Sequence, residues 1–270
     1  MSTGNWYSGG FNAVKEEQAA SSKRFEFGNN EMSRFRVKVG TESKVIFLDD
    51  FSWQVSLDGN QISFIPFGRW EHKAELNEDW KNTIYATCTK GVSPCKFCEA
   101  GFKRYYVGSM TVLDCTEYVD KSGKKVTMPR KRIMPAAPKA MSIIEAKKNK
   151  KGNLLGWQYS VTRHENKDPR VGSDFEAELH VEDVREFLKK HGEAGVGINL
   201  DPYGFTAEKA FEYYRNFFTP MPFDQQEKLF KSCNVVDGSV LKEHRKPGVA
   251  SAAAVQSVQK EEAAGDVIPY

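Results

Sequence analysis

One histidine and three cysteines lie close together in the chain at a spacing that suits a metal ion. They are His72, Cys88, Cys95 and Cys98, separated by fifteen, six and two residues. Zinc prefers four sulfur or imidazole ligands in a tetrahedron, and a Cys-x-x-Cys turn presents two thiolates at the right separation. Four protein ligands leave no open position, so the sequence predicts one structural Zn²⁺ per chain rather than a catalytic ion.

Two other kinds of chemistry could use part of this set. A Cys-x-x-Cys pair can be a redox centre, but here there is no strand-then-helix pattern around it, and Cys88 and His72 lie just upstream. Pro94-Cys95-x-x-Cys98 also matches half of the zinc deaminase signature, in which His-x-Glu supplies a ligand and the acid–base group. Glu75 follows His72 one residue too late for that signature, and Cys88 would be left over. The four-ligand site therefore accounts for more of the residues.

Aromatic and cationic side chains are interleaved around the predicted metal lobe. Trp70 precedes the first ligand, and Lys103, Arg104, Tyr105 and Tyr106 follow the last one. Proteins that bind single strands combine cations that follow phosphates with rings on which bases stack. Neighbouring side chains of a strand point to opposite faces, so one of the two tyrosines should be available to a ligand. Trp157 and Arg163 repeat the combination on a later predicted strand.

Positive charge is concentrated in one block of the chain. Eleven Lys and Arg residues lie between Lys121 and Lys151, and Glu145 is the only acid among them. Such a one-sided block indicates a polyanion partner, although a basic loop without a ligand would have the same composition. The residues predicted to contact phosphates in this block are Lys124, Lys125, Arg130, Lys131 and Arg132.

Short apolar or alternating segments separated by turns indicate a mainly β protein of the α+β class. The predicted strands include residues 34–39, 44–48, 53–57, 62–67, 105–113, 157–161 and 173–179, and helices are predicted near 137–148, 181–191 and 206–218. We expect an OB-fold-like antiparallel barrel with C-terminal helices and a zinc-binding lobe inserted at about 70–105, because such barrels bind oligonucleotides on a strand face. Residues 1–30 are predicted to form an arm, 31–235 the core and 236–270 a flexible tail.

The rest of the composition argues against an enzyme and against a membrane protein. The sequence contains no phosphate-binding loop, and the histidines other than His72 have no chemical partners nearby. Five cysteines, three of them predicted ligands, fit a reducing cytoplasm, with Cys115 and Cys233 as ordinary thiols. The chain has no apolar run long enough to cross a bilayer. We therefore expect a cytoplasmic binding protein.

The last residues resemble a known recruitment motif. The segment 266–270 reads Asp-Val-Ile-Pro-Tyr, which is similar to the Asp-Ile-Pro-Phe tip of bacterial single-stranded DNA-binding proteins. The resemblance implies that replication and recombination proteins dock on Asp266, Ile268, Pro269 and Tyr270. A partner with an apolar pocket and a basic rim could read such a tip.

The core resembles the zinc-containing single-stranded DNA-binding proteins of T-even phages over residues 34–235. The order of parts agrees: an apolar strand at 44–48, the four ligands, the strand at 105–113, a basic segment and Gly172-Ser173-Asp174-Phe175 before a late strand. The spacings between the first three ligands differ from the family type. The resemblance implies an OB-fold with a zinc lobe, a cleft for single strands and self-association through the N-terminal arm, which matches the family only loosely at 21–24.

These features together predict a phage-type protein that coats and protects single-stranded DNA in replication, recombination and repair inside an infected host cell. An RNA-binding zinc protein would share all of them, because stacking and phosphate contacts do not distinguish the sugars. A zinc-dependent nucleobase deaminase is the enzymatic alternative, with Glu75 as its acid–base residue.

Overall fold

The fold is known from a computed structural model that describes residues 34–76, 79–119, 123–191, 197–232 and 235–238. Its strands are β1 Thr41–Phe47, β2 Gln54–Leu57, β3 Asn60–Ser63, β4 Phe67–Leu76, β5 Asp79–Thr87, β6 Arg104–Asp114, β7 Glu117–Val119, β8 Lys125–Thr127, β9 Arg130–Ala136, β10 Trp157–Arg163, β11 Asp174–His180 and β12 Val235–Asp237. Its helices are α1 Lys96–Glu99, α2 Pro138–Lys151, α3 Val184–Lys189, α4 Ala207–Phe217 and α5 Phe223–Ser232. The predicted arm at 1–30, Cys233 and the tip at 266–270 lie outside the described residues.

An antiparallel sheet of eight strands organises the molecule. Its main path runs β11-β10-β1-β6-β4-β12, while β5 also pairs with β4 and β9 with β6. The long strand β6 is central because β1 and β4 share one of its edges, with Phe47 opposite Val112 and Trp70 opposite Tyr106. Its other edge pairs with β9. The N-terminal end of β6 therefore lies beside β4, which is where the predicted ligand set begins.

The predicted mainly β class is confirmed, but within the described residues no sheet closes into a barrel. Closure requires the two edge strands of a sheet to pair with each other. Here β11 pairs only with β10, and the far end of β4 pairs with β5 and β12. None of the helices in the described part of the chain is long and apolar enough to cross a membrane.

The segment 34–39 was predicted as a strand, and this prediction is wrong. Its alternation is real, because Phe35 and Val37 are buried while Arg36 and Lys38 are exposed. Its backbone bonds go to two different segments, however: the Phe35 amide donates to the Ile133 carbonyl and the Val37 amide to the Arg170 carbonyl. Alternation along the sequence thus shows which side chains are buried, but a strand also needs one continuous partner strand, and this segment has none.

Several local predictions are confirmed. The turn at Asp58-Gly59 joins β2 to β3, and both residues have positive φ, as a two-residue hairpin of type I′ requires. Thr206 caps α4, with its hydroxyl accepting from the Lys209 amide at 3.4 Å. Ala210, Phe211 and Tyr214 form the buried face of α4, so this helix packs on the main hydrophobic core.

A buried polar cluster fastens α4 to the sheet. The Tyr214 hydroxyl donates to the Asp49 carboxylate at 2.8 Å and lies 2.7 Å from the Thr111 hydroxyl, while the Thr111 amide donates to Asp49. Asp49 is fully buried. Burial is the main reason that its pKa is raised from 3.8 to about 7.

Stability should therefore depend on pH through Asp49. Because its folded-state pKa lies above the unfolded value, the contribution is fully present below about pH 4 and is lost as the pH rises through about 7. In Asp49→Asn an amide, which does not titrate, replaces the protonated acid, so this pH dependence of the free energy of unfolding should disappear. Urea unfolding of both proteins at pH 4 and pH 8 should show the wild type losing up to about 4 kcal/mol relative to the variant. If the free energy of unfolding changed by the same amount between pH 4 and pH 8 in both proteins, this assignment would be contradicted.

Candidate functional site

Four potential ligand atoms meet where β4, the end of β5 and α1 come together. The Nε2 atom of His72 lies 3.5 Å from the Cys95 sulfur and 3.4 Å from the Cys98 sulfur, and the sulfurs of Cys88 and Cys98 are 3.5 Å apart. All four ligand atoms lie within 4.8 Å of one another. Tetrahedral zinc with ordinary bond lengths requires separations of about 3.6 Å between nitrogen and sulfur and about 3.8 Å between sulfurs. The cluster therefore has the dimensions of one metal site.

Local structure explains why these residues converge. His72 is opposite Ala86 in the β4–β5 ladder, and the Cys88 amide just beyond that ladder donates to the Trp70 carbonyl at 2.9 Å. Cys95 is the N-cap of α1, and Cys98 follows within its single turn. A strand pair thus supplies two ligands, and one helical turn supplies the other two.

Hydrogen bonds around the cluster orient its members. The Nδ1 atom of His72 lies 3.1 Å from the Lys103 carbonyl, to which an N–H at Nδ1 would donate, leaving the Nε2 lone pair directed at the cysteines. The Lys90 amide donates to the Cys88 sulfur at 3.4 Å. His72 also stacks on Phe97, with ring centroids 5.4 Å apart. The histidine is fully buried and its ring is held in one orientation.

Hydrogen bonds and burial affect the pKa values of the three thiols differently. A hydrogen bond from Cys88 is the main reason that the pKa of the Cys95 thiol is lowered far below its usual range. The same bond raises the pKa of Cys88, and burial raises that of Cys98. Thiolates are the form that binds metals, and a bound divalent cation would favour deprotonation of all three. The donor set of one imidazole and three sulfurs is consistent with zinc.

The last described helix, α5, supports the cysteine turn from outside. The side chain of Gln226, which is buried, accepts from the Lys96 amide at 2.8 Å and donates to the Met221 carbonyl at 2.7 Å. Phe230 contacts Phe97 with ring centroids 5.2 Å apart. The bond between Gln226 and Lys96 joins residues 130 positions apart, and no local pattern in the sequence indicated it.

A groove of about 530 Å³ lies beside the metal cluster, across β4 and β6. Trp70 and Tyr106 stand opposite each other on these strands, with ring centroids 5.4 Å apart. They are 43% and 41% exposed, so both rings can accept a stacking partner. The Arg104 guanidinium lies 4.8 Å from the Trp70 ring. The two rings meet edge to face, at an interplanar angle of 63°, so aromatic faces and a cation are present together at one position.

Positive charge predominates along the groove wall. Arg34, Arg36, Lys73, Arg104 and Arg170 line it, and Glu71 is the one carboxylate among the described lining residues. Glu71 is bound by both Arg34 and Arg69. Burial alone would raise the pKa of Glu71, but the charges of these two arginines outweigh it and lower that pKa. Glu71, the single wall carboxylate among the described residues, is therefore neutralised within the protein. Because Lys73 pairs with Glu75 in turn, the positive charge of the groove comes from Arg36, Arg104 and Arg170.

The structure brings some of the predicted contact residues together and places others elsewhere. Trp70, Arg104, Tyr105 and Tyr106 line the groove, and the Lys103 ammonium lies 5.7 Å from the Tyr105 ring. The remaining ones do not line it: Lys124 and Lys125 belong to the β7–β8 hairpin, Arg130, Lys131 and Arg132 begin β9, and Trp157 and Arg163 lie at the two ends of β10.

Most of these outlying residues have contacts of their own. Arg132 pairs with Asp114 at 2.6 Å, and Lys131 donates to the Asp201 carbonyl at 3.2 Å. The Lys151 ammonium covers the Trp157 ring at 3.6 Å, and Arg163 donates to the Asn166 carbonyl at 2.9 Å. Their predicted contact with DNA stays a prediction.

Sequence reasoning missed several groove residues. Arg34, Arg36 and Arg170 come from irregular segments, and Tyr85 comes from β5; the Arg34 guanidinium lies 3.6 Å from the Tyr85 ring. The alternation of Arg34-Phe35-Arg36 showed that both arginines face away from the core. It could not show which surface they join.

Glu75, the acid–base residue of the deaminase alternative, forms an ion pair with Lys73. It lies three residues after His72 on β4. Side chains at an odd separation along a strand point to opposite faces, so Glu75 points away from the ligand cluster. This placement gives the deaminase alternative no support.

No known protein family matches the chain, and no match was found among curated proteins or solved structures. The described residues form a mainly antiparallel β protein with a buried cluster of one histidine and three cysteines that could bind a metal ion. The resemblance to phage single-stranded DNA-binding proteins thus depends on the order of motifs along this sequence.

Proposed function

We propose that this protein binds single-stranded DNA in the groove between β4 and β6 and coats it during replication, recombination and repair in a phage-infected cell. The observation that supports this most directly is the exposed pair Trp70 and Tyr106, with Arg104 at 4.8 Å from the tryptophan ring. Unpaired bases expose faces that can stack on such rings, and their phosphates would face the cationic wall.

In this proposal Zn²⁺ would be held by His72, Cys88, Cys95 and Cys98 in a structural role. His72 is two residues from Trp70 on β4, and its imidazole is bonded to the carbonyl of Lys103, the residue before Arg104. A fixed imidazole would therefore hold the N-terminal end of β6 against β4. The ion would keep the stacking pair and its cation in register without touching the nucleic acid.

The finer architecture belongs to the same proposal. We propose an OB-fold-like framework that is not closed, in which β1, β4 and β9 pair with the long strand β6. The zinc lobe at about 70–105 would be built partly on this sheet, because β4 and β5 belong to it. Docking of replication and recombination proteins on the tip at 266–270, and self-association through residues 1–30, are proposed from sequence alone.

A fluorescence titration with single-stranded and duplex oligonucleotides at two salt concentrations tests the proposed activity. Arg36, Arg104 and Arg170 line the groove and pair with no carboxylate within the described ranges. If these three neutralise phosphates, the log–log slope of affinity against salt should be about −2 or steeper. Tryptophan quenching by the single strand is expected because Trp70 is a stacking residue. Equal affinity for duplex would contradict the proposal.

Competition between DNA and RNA strands of the same sequence separates this function from the RNA-binding alternative, because the rings and cations of the groove suit either polymer. We expect DNA to compete more strongly.

The deaminase alternative is tested by incubating the protein with single-stranded substrate and analysing the bases afterwards. That alternative predicts conversion of the base, which Glu75→Gln should abolish.

A further inference from the structure

A second pocket, lined by residues between 185 and 209, also combines cations and rings. It has a volume of about 510 Å³ and lies between α3 and the start of α4. The Arg185 guanidinium lies 5.0 Å from the Tyr203 ring, and the Lys209 ammonium lies 3.9 Å from the Phe205 ring. Both rings are half-buried and both cations are exposed. The pocket thus repeats the combination of Arg104 and Trp70 in the groove.

The charges of this pocket favour an anion. Among the described residues Arg185 and Lys209 form no ion pair, so their charges are available to a ligand. Lys189 also lines the pocket but pairs with Glu186 at 2.5 Å. Asp201 is the single carboxylate of the described lining, and the two uncommitted cations exceed it. A ligand with both a phosphate and an aromatic base suits a pocket of this composition.

Strand β9 connects the pocket to the groove. Lys131 near its start donates to the carbonyl of Asp201, which lines the pocket, while Pro135 near its end lines the groove. Four residues of extended chain span about 13 Å. Lys131 therefore lies beside the second pocket and within one strand length of the groove, so a single strand of sufficient length could reach both sites.

We propose that this pocket is a second contact for the same single strand that occupies the groove. The inference rests on the proposed function, and its ligand is a nucleotide unit of that strand. The groove would bind the strand first through Trp70 and Tyr106. The pocket would then add phosphate contacts only for strands long enough to extend from the groove to the pocket, so its contribution depends on strand length.

The test compares two oligothymidylates, of about 5 and about 20 nucleotides, one near the lower end and one above the upper end of the site sizes of OB folds, which run from about 4 to about 16 nucleotides. The variant is Arg185→Glu combined with Lys209→Glu. The control is Lys167→Glu combined with Lys228→Glu, which alters net charge equally at two exposed lysines outside both sites. We expect the pocket variant to lose about tenfold or more in affinity for the long strand and less than about twofold for the short one. Its salt slope for the long strand should be shallower by about 1.4, since two phosphate contacts are removed.

The outcomes separate this inference from the proposed function. Unchanged binding of the short strand shows that the variant is folded and that its groove is intact. An equal loss for both strand lengths, a loss matched by the control, or no loss for either strand would overturn the second contact. If the wild type binds neither strand, the proposed function fails first. If wild-type short-strand binding requires Trp70 but the pocket variant behaves like the wild type at both lengths, only the second contact fails.

Discussion

Replacing Cys95 with serine is expected to remove bound zinc and to disorganise the lobe around it. Serine supplies a poor ligand for zinc, and Cys95 lies in the interior of the cluster, 3.5 Å from the His72 imidazole. Because a structural zinc ion contributes its binding energy to folding, we expect a destabilisation of several kcal/mol. Metal analysis of purified protein should fall from one zinc per chain to near zero, and the melting temperature should drop by about 10 °C.

Cys115→Ser is the matched control for this prediction. Cys115 is also buried, but it packs in a separate apolar cluster with Ile46, Leu48 and Leu113, away from the ligands. The same chemical change there should leave one zinc per chain, whatever its modest effect on stability. Zinc retained by Cys95→Ser, or wild-type protein purified without any bound metal, would refute the metal site.

Removing the exposed ring pair should have the largest effect on binding. Stacking contributes about 1–3 kcal/mol per base, so Trp70→Ala and Tyr106→Ala should each weaken single-strand binding by about tenfold or more, and together by about a hundredfold. Both rings are partly exposed and belong to none of the three apolar clusters of the described residues, so their removal should leave the fold unchanged. Fluorescence anisotropy with a labelled oligonucleotide measures the affinity, and circular dichroism verifies folding.

Two further variants separate stacking from charge. Trp70→Phe keeps an aromatic face and should retain affinity within a few-fold, with an unchanged salt slope. Arg104→Ala keeps both rings but removes the cation at 4.8 Å from Trp70, so its salt slope should become shallower by about 0.7. If Trp70→Ala binds as well as Trp70→Phe, the groove is not a stacking site.

These two predictions are physically linked through β4 and β6. His72 and Trp70 lie on β4, and Tyr106 and Arg104 lie on the segment of β6 that pairs with it. We therefore expect loss of zinc to weaken nucleic acid binding, because the strands that present the rings would no longer be held together. Loss of the rings should leave the zinc content intact, since the candidate ligands are His72, Cys88, Cys95 and Cys98.

The sequence by itself determined the features that depend on local spacing. The four ligands could be identified because a Cys-x-x-Cys turn and its neighbours lie close along the chain, and the structure places all four within one small cluster. The hairpin at Asp58-Gly59 and the cap at Thr206 were likewise predictable, because each depends on the backbone preferences of a few adjacent residues. Alternation at Tyr105 and Tyr106 predicted that one ring faces outward, and Tyr106 is the more exposed of the two.

Only the tertiary structure decided which distant segments share a surface. Arg34 and Arg170 join Trp70 in one groove, Gln226 reaches Lys96 across 130 residues, and Tyr214 meets Asp49 across 165. Contacts of this kind depend on how strands pair and how helices pack on the sheet. A local period reports which side chains are buried, as at Phe35 and Val37, but carries no information about the partner, because any complementary strand would satisfy the same pattern.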